Sequence, residues 1–354
     1  MSEMMEAPQM EATTEAPTMT EAVKDSMKAV SQEELGGPDV LKLVSLPTPE
    51  PGVSQILIRV HAASVNPIDG VNRQTGAFVG NPPFVLGWDV SGTVEAVGLG
   101  VTLYKPGDEV FGMLPFPQGH GAYAEYVAAP TRVFVPKPNA IDHVQAAAIP
   151  MVGLTAWQAL VDTAAVSEGS RVAITGAAGG IGHLAVQIAK ARGARVTALA
   201  SAADLGFVRS LGADEAIGYE SADFATAVGE QDVVLDVVGG DYPAQALDVL
   251  TPGGILVSTQ PPSLPPVAAT AAERGIRLAG IVAEADQVGM YELAGLAAAG
   301  KLVPTIAATF PLEQAGAASA LADVAAADGR FPLAQGGAKE SGKHGPGKVV
   351  LTVI

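Results

Sequence analysis

The stretch RVAITGAAGGIGHLAVQIAKARGARVTALAS, residues Arg171 to Ser201, decides the fold of this chain. Its first residues, Arg171–Thr175, form an apolar run that predicts a strand, and a glycine-rich turn follows. The next apolar residues recur at helical spacing: Ile181, Leu184, Ala185, Ile188 and Ala189. After Gly193, the segment Arg195–Ala200 predicts a second strand. A strand, glycine turn, helix and strand in this order place a pyrophosphate at the N-terminus of the helix.

The glycines of the turn have separate expected roles. Gly179 lets the backbone approach the phosphates, and Gly182 lets the helix pack closely on the strand. Ala177 stands where the first glycine of G-x-G-x-x-G is usual, so the fingerprint is incomplete, and such turns also serve packing alone. The complete strand–turn–helix–strand context nevertheless favours dinucleotide binding.

The end of the second strand indicates which cofactor is bound. NAD-binding proteins carry an acidic residue there, which holds the ribose 2′-hydroxyl, whereas this chain has Ala200 and Ser201. A serine hydroxyl can donate to a 2′-phosphate, so the sequence favours NADP(H). The alternative is that Ser201 only caps the next helix. Asp204 falls inside that predicted helix, in a register unsuited to the ribose.

Composition excludes several classes of protein. The 354 residues have room for two domains, and a hydrophobic fraction of 48% argues against disorder. A net charge of −17 argues against nucleic-acid and anionic-membrane partners. The absence of cysteine excludes disulfides, thiolate nucleophiles and cysteine-ligated zinc, and the five histidines form no close ligand pair. With no apolar run long enough for a membrane span and no signal peptide, we expect a cytoplasmic protein without a metal.

The chain divides into four expected segments. Residues 1–26 form a disordered acidic tail, 27–152 a β-rich catalytic domain, 153–308 the cofactor domain, and 309–354 a return to the catalytic domain. Six short strands are predicted in the β-rich part: Lys28–Gln32, Leu41–Leu46, Gln55–Val65, Asp89–Val97, Glu109–Met113 and Ala122–Val127. In the cofactor domain, the strands Asp232–Val237 and Gly254–Ser258 bring Val238 to the same crevice as the glycine turn. The segment Gln335–Lys343 has the composition of a flexible insertion.

Motifs along residues 27–354 give the chain a specific resemblance. They are SVNPIDGVNRQTG, VLGWDVSGTVEAVG, YKPGDEVFG, GAYAEYV, IPMVGLTAWQAL, AAGGIG, VRSLGADEAIGY, DVVLDVVGG, LTPGGILVS and HGPGKVVLTV, in this order. The chain thereby resembles the zinc-free quinone oxidoreductase branch, which includes zeta-crystallin, of the medium-chain dehydrogenase/reductase superfamily. The resemblance implies an α/β fold, in which a Rossmann-type doubly wound parallel sheet is joined to a β-rich GroES-like catalytic domain. It also implies NADPH as cofactor, a small-molecule quinone or enone substrate, and a homodimer joined through edge strands of the cofactor domains.

One departure from the wider superfamily concerns zinc. Zinc alcohol dehydrogenases carry Gly-His-Glu where this chain has Gly87, Trp88 and Asp89. Because Trp88 cannot ligate a metal and no cysteine is available, the resemblance implies a zinc-independent reaction. Hydride transfer to an acceptor that is already electrophilic needs no Lewis acid.

The resemblance also implies roles for single residues. Asn66 lies near the nicotinamide and donates to the developing oxyanion, unless its side chain only makes an Asx turn before Pro67. Thr155 binds the cofactor or else caps the helix that it opens. The other implied cofactor contacts are Ala178, Gly179, Gly180, Ile181 and Gly182 at the pyrophosphate, Ser201 and Tyr219 at the 2′-phosphate, and Lys348. The family often has a lysine shortly after that serine, and this chain lacks it.

No side chain stands out as the general acid. An active-site tyrosine of some relatives is replaced by the run Val71-Asn72-Arg73. His120 is a loop candidate, while Asp69 is expected to brace a short helix and Tyr123 and Tyr126 to be structural. Solvent is the remaining proton source. Two rival functions therefore stay open: a pathway-specific enoyl reductase of natural-product biosynthesis, and a non-redox catalyst or scaffold that retains the cofactor fold.

Overall fold

The computed structural model describes residues 25–219, 224–328 and 345–354. Nearly all of the predicted acidic tail, and the whole of Gln335–Lys343, lie outside these residues. Within them, the chain builds a β-rich part and an α/β part, with a cleft between the two.

The β-rich part is made of short strands around one long strand. The strands are β1 (Ser26–Gln32), β2 (Lys42–Pro47), β3 (Gln55–Val65), β4 (Phe84–Val85), β5 (Asp89–Val97), β6 (Glu109–Met113), β7 (Tyr126–Pro130) and β8 (Phe134–Pro136), and the helices are α1 (Pro67–Thr75), α2 (His143–Ala147) and α3 (Pro150–Trp157). Strand β3 is rich in β-branched residues and buries Ile56, Ile58 and Val60 completely, which makes it the centre of this core.

The α/β part follows the alternating pattern that the sequence predicts. Its elements are β9 (Arg171–Ile174), α4 (Gly182–Ala191), β10 (Arg195–Ala200), α5 (Leu205–Ser210), β11 (Glu215–Gly218), α6 (Phe224–Val228), β12 (Gln231–Asp236), α7 (Tyr242–Val249), β13 (Leu250–Ser258), α8 (Ala268–Glu273), β14 (Arg277–Gly280) and α9 (Gln287–Ala298). All six strands are parallel, in the order β11-β10-β9-β12-β13-β14. The predicted doubly wound parallel sheet is thus confirmed. Its chain order reverses between β9 and β12, which is where such sheets bind ligands.

The last elements of the chain, β15 (Ile306–Pro311), α10 (Ala315–Asp328) and β16 (Lys348–Thr352), pack on the β-rich part. Strand β16 lies parallel to β15 and antiparallel to β3, with Val350 opposite Ser64. The sheet order β15-β16-β3-β5-β6-β8, with β7 also paired to β3, therefore joins residues from both ends of the described chain. A smaller sheet has the order β2-β1-β4.

Two predicted strand starts in the β-rich part are wrong by two residues or more. Strand β1 already begins at Ser26, inside the predicted tail, because Ser26 pairs with Pro47. The strand predicted over Ala122–Val127 begins only at Tyr126. Before that point the chain makes one bridge, between Ala124 and Ala29 of β1, and it joins the ladder of β3 only from Tyr126 onward.

Candidate functional site

A cleft of about 1300 Å³ lies at the carboxyl ends of the parallel strands and reaches into the β-rich part. Ten of the sequence-predicted site residues line it: Asn66, Thr155, Ala178, Gly179, Gly180, Ile181, Ser201, Tyr219, Val238 and Lys348. Gly182 does not line the cleft. The backbone at Gly182 fits closely against the turn, since an added Cβ would lie 2.2 Å from the carbonyl oxygen of Gly176. The packing role expected for Gly182 agrees with this contact.

The glycine turn presents unpaired amides to the cleft. The N–H groups of Gly180 and Ile181 have no hydrogen-bond acceptor within the part of the chain that the structure describes, and α4 begins directly afterwards, at Gly182. Gly180 also lies close to Lys348, because an added Cβ would come within 3.2 Å of the lysine Cδ. Free amides at a helix N-terminus suit an anionic group, so these residues fit the pyrophosphate of a dinucleotide.

His183 ties this turn to the segment that leads into β15. Its Nδ1 donates to the carbonyl of Gly179 at 2.9 Å, and its Nε2 accepts the N–H of Thr305 at 3.1 Å. Complete burial lowers the pKa of His183 to about 4, so the imidazole is neutral near neutral pH. The sequence reasoning assigned no role to His183, although its position directly after Gly182 would have been the signal.

The buried neutral imidazole of His183 predicts that the unfolding free energy decreases in acid. The folded-state pKa lies below the unfolded value of about 6.5, so the unfolded chain binds the extra proton first and stability is lost as the pH falls from 6.5 toward 4. Between pH 7 and pH 5 we expect this residue to cost about 2 kcal/mol of unfolding free energy. Urea unfolding of the wild type and His183→Asn at both pH values measures the difference, and equal pH dependence in the two proteins would refute it.

The end of β10 carries a contact that the sequence did not predict. The hydroxyl of Ser201 donates to Oδ2 of Asp204 at 2.6 Å, and both residues line the cleft. Ser201 is the N-cap residue of the turn that follows, as the alternative expected, but its side chain makes no cap hydrogen bond. Residues Ala202–Asp204 form a single 3₁₀ turn before α5, and this turn gives Asp204 a different register from the predicted helix.

The loop after β12 is organised by Asp236, another buried residue to which the sequence reasoning gave no role. Its carboxylate accepts from the hydroxyls of Thr175 and Ser258 at 3.0 and 2.9 Å, and from the backbone of Val238 and Gly239 at 3.0 Å. One side chain therefore holds the ends of β9, β12 and β13 at the point where the sheet reverses.

A buried polar cluster closes the other end of the cleft. Oδ1 of Asn66 accepts from Nζ of Lys348 at 2.5 Å, and Nδ2 of Asn66 donates to Asp89 at 2.8 Å. Lys348 also donates to the carbonyl of Val65 at 2.8 Å. The side chain of Asn66 thus contacts the lysine and the aspartate, and Asn66 is also the N-cap residue of α1. Each of Asn66 Nδ2 and Lys348 Nζ keeps one N–H without a partner in the described part of the chain.

Burial sets the charges of this cluster. Asp89 is completely buried and accepts from Ser64 at 2.5 Å and from the N–H of Met151 at 2.7 Å. Burial raises the pKa of Asp89, whereas the Lys348 charge and these hydrogen bonds lower it. Burial lowers the pKa of Lys348, and the negative charges of Asp89 and Asp69 oppose that shift. Asp89 occupies the last position of the Gly87-Trp88-Asp89 run, and its burial was not evident from the sequence.

Asp69 and Tyr123 stand behind the cluster, out of contact with the cleft. Asp69 accepts from the N–H of Asn66 and from the hydroxyl of Tyr123, both at 2.7 Å, so it braces the start of α1 as expected. Burial raises the pKa of Asp69 to about 7.

His120 also lies outside the cleft lining. Its Nδ1 donates to the carbonyl of Val85 at 2.7 Å, and its ring meets Trp88 edge-on.

Thr155 lies inside α3 and not at its start. Its hydroxyl donates to the carbonyl of Met151 at 2.7 Å, so the predicted capping alternative is wrong. The helix begins at Pro150, five residues earlier, and it turns Thr155 toward the cleft.

Two family models match the chain in the order of its two parts. The alcohol dehydrogenase GroES-like domain matches residues 52–139, and the zinc-binding dehydrogenase domain matches residues 211–331. A mouse protein named NAD(P)H oxidoreductase RTN4IP1, mitochondrial, is 35% identical over 309 residues, which are 74% of this chain and 76% of that protein. The chain belongs to the medium-chain dehydrogenase/reductase superfamily.

Further relatives within the superfamily support the zeta-crystallin-like branch. The chloroplastic NADPH-dependent alkenal/one oxidoreductase of Arabidopsis thaliana is 39% identical over 260 residues, covering 70% of this chain and 66% of its own. The structure of the quinone oxidoreductase from Coxiella burnetii superposes with a TM-score of 0.82 at 37% identity, over 93% of this chain and 100% of that one. The superfamily and branch expected from the sequence are confirmed, and these names support an oxidoreductase role. Because two of these relatives are named mitochondrial or chloroplastic, a cytoplasmic location stays a prediction.

The described residues contain neither a metal-binding cluster nor a membrane-spanning helix. No group of three or more His, Asp or Glu side chains within residues 25–219, 224–328 and 345–354 is placed to hold a metal ion. No helix in the same ranges has the length and apolar character needed to cross a bilayer.

Proposed function

We propose that this protein reduces quinones or α,β-unsaturated carbonyl compounds with a nicotinamide cofactor, without zinc. The observation that carries the proposal is the meeting, in one cleft, of the free amides of the glycine turn with the buried Asn66–Lys348 pair. NADPH is proposed as a cofactor of this reaction, because Ser201 and Tyr219 predict it from the sequence and the name of the Arabidopsis relative includes it.

The residues at one end of the cleft bind the cofactor, and those at the other end act on the substrate. The amides of Gly180 and Ile181, at the start of α4, fix the pyrophosphate. When bound, the nicotinamide supplies the hydride. The remaining N–H groups of Asn66 and Lys348 then stabilise negative charge on the substrate oxygen, and Lys348 holds a proton that this oxygen can take.

Zinc independence rests on the donor set. Trp88 is completely buried and packs against Phe116 with ring centroids 5.2 Å apart, and its indole offers no metal-binding atom. The chain has no cysteine. A quinone or an enone is already electrophilic, so donors in place of a Lewis acid suffice for its reduction.

Aromatic side chains support a flat apolar substrate. Phe78 and Phe116 line the cleft on the side of the β-rich part, with ring centroids 5.2 Å apart. Ile68 and Val282 add apolar surface to the same lining. A planar ring or conjugated chain buries apolar area against these residues.

We also propose a homodimer joined through β14. This strand pairs only with β13 in the described chain, which leaves one edge for a second copy, and Val282 just beyond it is 59% exposed. Light scattering of the purified protein would give twice the chain mass of 35.7 kDa. A monomeric mass would refute the dimer without affecting the proposed reaction.

The experiment that tests the function is titration of NADPH and NADH by fluorescence, followed by turnover with a panel of quinones and enones. Binding followed by oxidation of the cofactor on several acceptors would support the proposal. Binding without turnover on any acceptor would refute the broad substrate class and favour the pathway-specific reductase or the non-redox catalyst. Absence of binding would refute the proposal as a whole.

A further inference from the structure

The Ser201–Asp204 pair lies where the adenosine ribose of a dinucleotide is recognised. In doubly wound sheets this ribose is held at the end of the second strand, which is β10 here. Ser201 directly follows β10, and Asp204 lies one 3₁₀ turn later, with both residues in the cleft lining.

The hydrogen bond within the pair decides what it offers to a ligand. A serine hydroxyl has a single proton, and Ser201 donates it to Oδ2 of Asp204 at 2.6 Å. The pair therefore presents only acceptors: the second carboxylate oxygen and the lone pairs of the serine. A ribose 2′-hydroxyl can donate to these atoms, whereas a 2′-phosphate is itself an acceptor at neutral pH.

The surrounding charges lead to the same conclusion. Among the described residues that line the cleft, Lys348 is the one lysine or arginine, and it is bonded to Asn66 in the buried cluster at the other end. Asp241 and Asp248 are further carboxylates of the lining. A 2′-phosphate would thus meet the Asp204 carboxylate with no lysine or arginine among the described residues at this end of the cleft to offset it.

We infer that the Ser201–Asp204 pair is the selectivity element of the cofactor site and lets the protein bind NADH about as tightly as NADPH. This inference rests on the proposed function. Binding of NADPH requires Ser201 to turn its proton away from Asp204, and this cost offsets the contacts that the phosphate gains. NADH binds without breaking the hydrogen bond between Ser201 and Asp204.

The test measures dissociation constants of NADH and NADPH by fluorescence for the wild type, Asp204→Asn and Asp204→Ser. In the wild type we expect the two constants to agree within roughly threefold, which is less than 1 kcal/mol. Removing the carboxylate charge should tighten NADPH by about tenfold and leave NADH within roughly threefold. Ser201→Ala in the Asp204→Asn background should remove most of that gain, because the freed hydroxyl is then missing.

The control is Glu273→Gln, which makes the same charge change on the exposed surface of α8, outside the cleft. It should leave both constants unchanged. A wild type that binds NADPH more than about tenfold tighter than NADH, with no response to either Asp204 variant, would overturn the inference while the proposed function stands. If neither cofactor binds to the wild type, the proposed function itself fails. Thermal unfolding of each variant excludes loss of fold as the cause.

Discussion

Gly180→Asp is expected to abolish measurable binding of both NADPH and NADH. The new Cβ would lie 3.2 Å from Cδ of Lys348, and the carboxylate would stand beside the free amides that are proposed to hold the pyrophosphate. The new carboxylate and the pyrophosphate are both negatively charged, and they repel each other strongly in a cleft that excludes part of the water. We therefore expect the affinity for both cofactors to fall at least about 100-fold. Fluorescence titration with either cofactor measures the loss.

The matched control for this variant is Gly295→Asp. Gly295 is exposed on α9, and an added Cβ meets no atom within 4 Å, so the same substitution adds the same charge in open space. It should bind both cofactors like the wild type. Retained affinity in Gly180→Asp would mean that the glycine turn serves packing alone.

Lys348→Met is expected to lower kcat by about 10²–10³ with a smaller change in KM, because it removes a donor whose effect is greatest when charge develops on the substrate oxygen. Nζ of Lys348 lies 2.5 Å from Oδ1 of Asn66, so the variant also frees the asparagine carboxamide to turn. Steady-state kinetics with one quinone and one enone separate the two constants.

The same substitution should change the titration of the cluster. The Lys348 charge lowers the pKa of both Asp89 and Asp69, so its removal raises both values and lets these carboxyls take protons at higher pH.

The control for the kinetic prediction is Lys301→Met, which replaces an exposed lysine after α9 and should leave kcat unchanged. A Lys348→Met enzyme that folds and keeps its kcat would show that the lysine has no part in the reaction.

Local sequence determined much of the α/β part and little of the polar cluster. The strands around the glycine turn were predictable because apolar spacing and glycine positions are local signals, and β9, α4 and β10 follow them closely. Asn66 and Lys348 were each expected near the cofactor, but their contact joins positions 282 apart, and no periodicity reports such a pair.

At the cofactor end of the cleft, helical register did not predict the contact between Asp204 and Ser201. The sequence predicts a helix after Ser201 with Asp204 in a register unsuited to the ribose. The chain forms a 3₁₀ turn over Ala202–Asp204 before α5, and the carboxylate of Asp204 accepts from the serine hydroxyl. The acceptor pair was therefore visible only once the backbone was in place.

The position of β16 has a consequence for how this protein can be divided. It fills the place between β15 and β3, its first residue is Lys348, and the N–H of Gly347 donates to the carbonyl of Ala178 at 3.1 Å. A fragment ending after α3 would expose the edge of β3 and leave Asp89 buried without its cation. A chimera that replaces the cofactor domain of this chain must therefore keep residues 345–354 with the β-rich domain that they complete.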